Sequence, residues 1–349
     1  MTEFKEANPK TQKTEQSNTT RSAINTLIRY LCNKRILEIN SCIPTLLRVE
    51  IKSQAKALIT VEDLKAFDLQ IWLRSGEEAA QRLFVAQSTV SRRNAETQKL
   101  FGIKLFRDPL SEWSNKGDTT LLNLERNVHQ LYRFRNESEN LRLEATFWAG
   151  PTLSQPAPEG WDNGVWDHFG MHRPLSLLKD RVIDAWIGSY QPDLPEIDDP
   201  DFCVIDLCHT PVKLVANQNH PLVGKSNLSQ QDLEAFPSLA LPEGWFPKTE
   251  AILRSQGLWS TEARMKRYQE ERWEGRTKDE VTLGYATCLG LEVMKDLTPI
   301  DYDLNLISGE SLVVRRDLAG ENRIQSLLAC LKERVSRKAA EHEELTLCF

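Results

Sequence analysis

The sequence predicts an α plus α/β protein: a small helical unit built on a helix-turn-helix, a long linker helix, and a larger domain of alternating strands and helices. Three observations carry this. Residues 77–101 pack a short helix, a tight turn and a second helix into one stretch. Residues 117–139 repeat apolar side chains along one face of a single helix. Past residue 140, strand-like runs such as RVIDAWIG and SLVVRR alternate with amphipathic segments.

Residues 1–57 are a poorly patterned basic extension, within which Ile24, Leu27, Ile28 and Leu31 support one short helix. A patterned unit follows at 58–116. Leu64, Phe67, Ile71 and Trp72 line its first helix, and Ala79, Ala80 and Leu83 mark the second. The third runs from Gln87 through Val90 to Leu100 and stops at Gly102, the expected C′ glycine. Ile103, Leu105 and Phe106 alternate as a short strand, and Asp108-Pro109 begins a turn. Leu121, Leu124, Val128, Leu131 and Phe134 form the seam of the linker helix at 117–141, a good dimerisation element. Residues 142–338 are expected to form an α/β domain with mostly parallel sheets, and 339–349 a tail. In that domain LRLEATFWA, RVIDAWIG, FCVIDL, PVKLVAN and SLVVRR read as strands, 228–236 and 247–255 as helices, and the run from Asn322 as a closing helix.

The chain has 349 residues, room for two or three domains, with 40% hydrophobic and 27% charged residues, as in a globular protein. No apolar run approaches the ~20 residues of a membrane-spanning helix. Residues 1–20 lack the apolar stretch of a secretory signal, and seven scattered cysteines do not read as a disulfide framework. The expected location is the cytoplasm, with no membrane partner. Net charge is -6, but it is unevenly spread: residues 1–57 sum to +5 and the remainder to -11. Inside that acidic remainder, residues 82–107 set six Lys and Arg against Glu96 alone, a basic island of the kind that binds nucleic acid.

The helix-turn-helix has a simple physical logic. Ala79 and Ala80 are small enough for two helices to cross closely, and Leu83, Val85 and Val90 fill the core between them. Gln87, Ser88 and Thr89, then Ser91, Arg92 and Arg93, are left turned outward. In such motifs this helix enters the major groove, where Gln pairs with adenine, Arg with guanine, and hydroxyls reach base edges or phosphate. Lys104, Arg107 and Lys116 flank the groove as a wing. The same pattern also describes a plain three-helix packing unit with a polar face.

Residues 75–107, SGEEAAQRLFVAQSTVSRRNAETQKLFGIKLFR, resemble the winged-helix DNA-binding domain of the LysR-type transcriptional regulators. The shared points are Ala79-Ala80, Leu83, Val85, Gln87-Ser88, Val90-Ser91-Arg92, Gly102 and Leu105-Phe106-Arg107. Lys116-Gly117 sits where the family's second-wing glycine opens the linker helix. The resemblance continues through residues 211–241 and 311–335, and so spans roughly 60–338. It implies a two-lobed effector domain, like a periplasmic binding protein, with a small-molecule cleft between lobes. It also implies that the loop after the first effector strand lines the cleft, with Thr152 and Ser154 as candidates for holding a small anion; the alternative is that both hydroxyls cap the following turn. Three departures stand out. Only Glu77-Glu78 separate Gly76 from Ala79, Asn94 and Thr97 replace apolar residues, and residues 150–180 are short of a helix and rich in proline.

Other motifs lead nowhere. Gly224-Lys225-Ser226 lacks the first glycine of a phosphate loop, Asn219 standing in its place. His168 and His172 are four apart, but Phe169 occupies the position of the zincin glutamate. Cys203 and Cys208 fall on opposite faces of one strand. No enzymatic motif is present, and neither a cofactor nor a metal is expected. The expected protein is a homo-oligomeric, sequence-specific regulator of transcription that binds double-stranded DNA and senses a small molecule. The alternative is a ligand-independent architectural or protein-interacting descendant of the same fold, its cleft plugged by Trp161, Trp166 or Trp186.

Overall fold

Thr60 fixes where the first helix begins. Its hydroxyl accepts from the Asp63 amide at 3.1 Å while the Asp63 carboxylate accepts from the Thr60 amide at 3.3 Å, a capping box that opens α1 (Val61–Leu73). Arg74 ends α1 in the left-handed region, and Ser75 at once caps α2 (Gly76–Leu83) by accepting from the Glu78 amide at 3.2 Å. The missing residues before Ala79 therefore shorten the turn without removing the helix. α3 (Gln87–Phe101) closes on Gly102 at φ 65. β1 (Lys104–Arg107) and β2 (Trp113–Lys116) pair antiparallel as the wing. Gly117 follows at φ +124, where a Cβ would stand 2.9 Å from the Gly102 carbonyl oxygen, so the wing can turn into α4 (Thr120–Arg135) only on a glycine.

The computed structural model describes residues 59–108, 112–166, 170–189, 191–240, 244–262 and 281–349. The helix expected around Ile24 to Leu31, His168 and Pro109 lie outside them. Residues from Ile59 onward form one unit.

The effector part begins with β3 (Leu141–Ala145), β4 (Trp161–Asn163), α5 (His172–Lys179), β5 (Ala185–Gly188) and β6 (Phe202–Asn217). A second lobe carries α6 (Gln230–Glu234), β7 (Leu239–Ala240), α7 (Pro247–Ser255), β8 (Thr261–Glu262), β9 (Gly284–Ala286) and α8 (Cys288–Val293). The chain returns as β10 (Leu297–Arg315), then α9 (Asn322–Glu341) and β11 (Thr346–Leu347). The main sheet runs β11-β6-β10-β5-β3-β4, with β9 also on β6.

The expectation of a mostly parallel sheet is corrected here. β3 is parallel to β4 and β5, but β10 is antiparallel to β5 and β6, and β6 is antiparallel to β9 and β11. The cause is continuity. FCVIDL and PVKLVAN are one 16-residue strand, β6, and β10 runs for 19 residues. One carries the chain out to the second lobe and the other carries it back, so the two run in opposite directions side by side. The segment read as a tail also contributes, β11 pairing with His209 and Cys208 of β6.

α9 closes the first lobe: Ile324, Leu327, Leu331 and Val335 are buried in one cluster with Leu141, Leu143, Leu312 and Val314 of the sheet. β3 alternates apolar and charged residues, the pattern of a half-solvated strand, yet all five of its residues are buried. Its charged face is covered by α1 and its neighbours.

Candidate nucleic-acid face and interlobe cavity

α3 starts at Ala86, which offers no side-chain cap, and its first turn holds no acidic residue. Backbone N–H groups and the positive end of the helix dipole are thus left for an anion. Gln87, Ser88, Ser91 and Arg92 are exposed and Thr89 half-buried, while Val90 is buried against the unit's core. The expected residues divide by their partners. Arg92 and Lys104 are exposed. Arg93 turns back to α1, its Nε 3.4 Å from Asp63 and its Nη1 donating to the Glu62 carbonyl at 3.4 Å. Arg107 donates to the Arg74 carbonyl at 2.9 Å and lies 4.6 Å over the Trp113 ring. The polar departures donate inside: Asn94 to Gln70 at 2.6 Å, its own oxygen finding no donor among the described residues, and the Thr97 hydroxyl to the Arg93 carbonyl at 2.9 Å.

Behind this face the unit is fastened to the effector sheet. The Trp72 indole N–H donates to the Glu144 carboxylate at 2.8 Å, both groups buried. Burial pushes the Glu144 carboxyl up, and Arg173, 3.9 Å away, opposes that. Arg173 also donates to the Ile71 and Trp72 carbonyls and pairs with Glu112, which in turn holds Arg74 at 2.7 Å. In the sequence Ile71 and Trp72 stand only as apolar residues of a helix face, and nothing marks Glu112, Glu144 or Arg173, because these partners lie 38 to 102 positions away.

α4 has two faces. Inward, Arg126 donates to Asp68 at 2.9 Å, and Arg133 takes both Asp184 oxygens at 3.1 and 2.8 Å. Outward, Leu121, Leu124 and Val128 are 60%, 57% and 53% exposed, and Leu131 also faces out. These four residues of the seam therefore have no cover within the chain's described residues, while Phe134, read as its fifth member, turns inward and is buried.

A cavity of about 100 Å³ lies where the two lobes meet, with Trp148, Ser189 and Ser308 on one side and Phe246, Trp259 and Tyr285 on the other. Trp148 and Ser189 both donate to Glu310, the indole at 3.0 Å. Ser189 also pairs with Thr146 at 2.6 Å, and Ser308 donates to the Ser189 carbonyl at 2.8 Å. Glu310 sits one layer behind the wall, and burial pushes it up to about 7 while the two donors pull the other way. A register shift between Glu310 and Ser311 interrupts the β10–β6 ladder there. Thr152 and Ser154 lie in a turn at Gly150–Ser154 and do not line this cavity. Thr152 donates to the Trp148 carbonyl at 2.6 Å, and Ser154 to the Gly150 carbonyl at 3.0 Å. Of that loop, Trp148 reaches the cavity. Trp161, Trp166 and Trp186 stand elsewhere; the wall tryptophans are Trp148 and Trp259.

Cys203 and Cys208 are free, and burial raises Cys208 far from the thiolate form. Among the described residues no helix is long and apolar enough to cross a membrane.

Residues 168–264 match the LysR substrate binding domain family. No curated protein matches the chain by sequence. Similar solved structures include a full-length OxyR variant from Pseudomonas aeruginosa, at 14% identity and TM-score 0.49, covering 79% of this chain and 95% of that one. A probable transcriptional regulator from Pseudomonas aeruginosa is similar at 16% identity and TM-score 0.48, covering 80% and 98%. A hydrogen-peroxide-bound OxyR variant from Corynebacterium glutamicum is similar at 15% identity and TM-score 0.44, covering 81% and 96%.

Proposed function

We propose that this chain, whose residues 168–264 match the LysR substrate binding domain family, is a sequence-specific regulator of transcription that binds double-stranded DNA as a dimer or tetramer. It works in the cytoplasm, under the control of a small molecule held between its lobes. One observation carries the reading: the uncapped start of α3 is left open, with Gln87, Ser88, Ser91 and Arg92 exposed, while the rest of its unit is tied down. Gln87 and Arg92 are assigned to base edges, Ser88, Thr89, Ser91 and Lys104 to phosphates and groove walls. Arg93 and Arg107 hold the helix and the wing in place. The outward seam of α4 supports pairing of two copies, which sets two recognition helices on half-sites about one helical turn, or a multiple, apart.

Selection of bound duplexes from a random-sequence pool tests the reading. The expected outcome is an enriched motif with two related halves and binding that weakens steeply with salt. Recovery of unenriched sequence would overturn it.

A further inference from the structure

We infer that the interlobe cavity takes a compact, uncharged single-ring molecule and rejects small anions; this rests on the proposal that the cavity is the effector site.

Three observations lead there. The first is the wall. Trp148, Phe246, Trp259, Tyr285 and Leu306 give it an aromatic and apolar surface, and no described lining residue is a Lys, Arg or His. A carboxylate or phosphate brought in would lose its water and find no cation, a cost that burial does not return. The second is the state of the hydroxyls. Thr249 donates to Asp193 at 2.6 Å, Ser308 to the Ser189 carbonyl, and Ser189 to Glu310. These three have their protons committed, and Thr287, also on the wall, spends its oxygen accepting from the Gly290 amide at 3.2 Å, so these hydroxyls do not converge as an anion cradle. A buried carboxyl, Glu310, is held against the wall by Trp148 and Ser189. Any negative charge it carries repels an anion across one layer of side chains.

The third is size and a buried indole donor. At about 100 Å³ the cavity is somewhat smaller than the ~150 Å³ engineered apolar cavity that admits benzene. A single ring is therefore the upper limit of what it takes, with any substituent left at the open side of the cavity. The Trp259 indole N–H is buried and has no acceptor among the described residues. A ring bearing a carbonyl or ether oxygen would supply the acceptor without bringing a charge.

The test is thermal unfolding of the full chain with three probes of matched size: acetophenone, benzylammonium and benzoate. Two variants accompany it. Ala286→Leu adds bulk at the wall, and Leu306→Ala enlarges the space. Acetophenone is expected to raise Tm by about 5 °C at a hundredfold excess over its Kd, with benzoate giving no shift. Ala286→Leu should abolish that shift with the unliganded Tm close to wild type. Should Ala286→Leu fail to fold, Leu306→Ala carries the test by extending the shift to a two-ring ketone that leaves the wild type unmoved. Stabilisation by benzoate or benzylammonium but not acetophenone, lost in Ala286→Leu, would overturn the uncharged class while leaving the cavity as the effector site. A shift by acetophenone that neither variant alters would place binding elsewhere and overturn the inference. No shift with any probe would overturn the inference together with the effector-site reading.

Discussion

The indole nitrogen of Trp72 and the carboxylate of Glu144 form a 2.8 Å hydrogen bond at full burial, joining the helix-turn-helix to the first strand of the effector sheet. Trp148, which lines the interlobe cavity, follows only four residues after Glu144 in the chain. The helix-turn-helix unit and the cavity are thus attached to opposite ends of one short segment.

Removing the indole donor leaves a buried carboxylate short of one partner, a defect that costs about 1–3 kcal/mol. Trp72→Phe is expected to lower stability to urea by that amount. In a double-mutant cycle with Glu144→Gln, the coupling should be about 0.5–3 kcal/mol, as for residues in contact. A coupling near zero would show the bond to be incidental.

The seam of α4 offers a cleaner experiment, because its side chains are more than half exposed at Leu121, Leu124 and Val128. Leu124→Asp with Val128→Asp should leave the stability of the single chain within about 0.5 kcal/mol per site. The oligomer should dissociate, read by sedimentation at micromolar concentration. An unchanged sedimentation coefficient would exclude this helix as the contact.

Arg92 and Arg93 are neighbours with different assignments. Arg92→Ala is expected to cost about 1–3 kcal/mol of DNA affinity with no change in Tm. Arg93→Ala removes an ion pair with Asp63, itself worth about 0–1 kcal/mol of fold stability at the surface. Its effect on affinity should be smaller than that of Arg92→Ala. Equal losses of affinity would mean that both side chains touch DNA.

Glu310 sets a pH dependence. Its carboxyl ordinarily titrates at 4.5 and is raised to about 7 in the folded chain, so the folded state holds more protons than the unfolded one between those values. Stability contributed at this site is therefore present at low pH and falls as pH rises from about 4.5 to about 7, beyond which the penalty is constant. Glu310→Gln cannot ionise. Relative to wild type it should gain about 1–3 kcal/mol at pH 8 and almost nothing at pH 4, measured by urea unfolding at both. A difference independent of pH would refute the assignment.

The parts of this molecule legible in sequence are those where local chemistry decides. Ala79, Ala80 and Val90 are buried as their spacing suggests, Gly102 ends its helix, and 247–255 is a helix as read. The α4 seam was visible because its period is that of a helix. What escaped depends on distant partners. LRLEA has the alternation of a strand with one wet face, and only the arrival of Asp68 and Trp72 from α1 dries Arg142 and Glu144. Glu310 escaped because its neighbour Ser189 is set by the antiparallel register of β10 on β5, where Ser311 stands opposite Gly188. Thr152 and Ser154 offered the right side chains for a ligand loop, but in a five-residue turn each hydroxyl reaches the carbonyl four positions back.

α4 is anchored at two points along its length, Arg126 on Asp68 and Arg133 on Asp184. Its length is therefore not adjustable. One residue inserted between those arginines would rotate everything beyond by about 100°, carrying Arg133 off its carboxylate and Leu131 out of the seam together. Inserting a whole turn would restore the angle but advance the far anchor by about 5.4 Å, beyond the reach of Asp184. The helix behaves as a gauge cut to one size. In the proposed DNA-bound dimer, any change in the distance between half-sites must then be taken up where the copies meet.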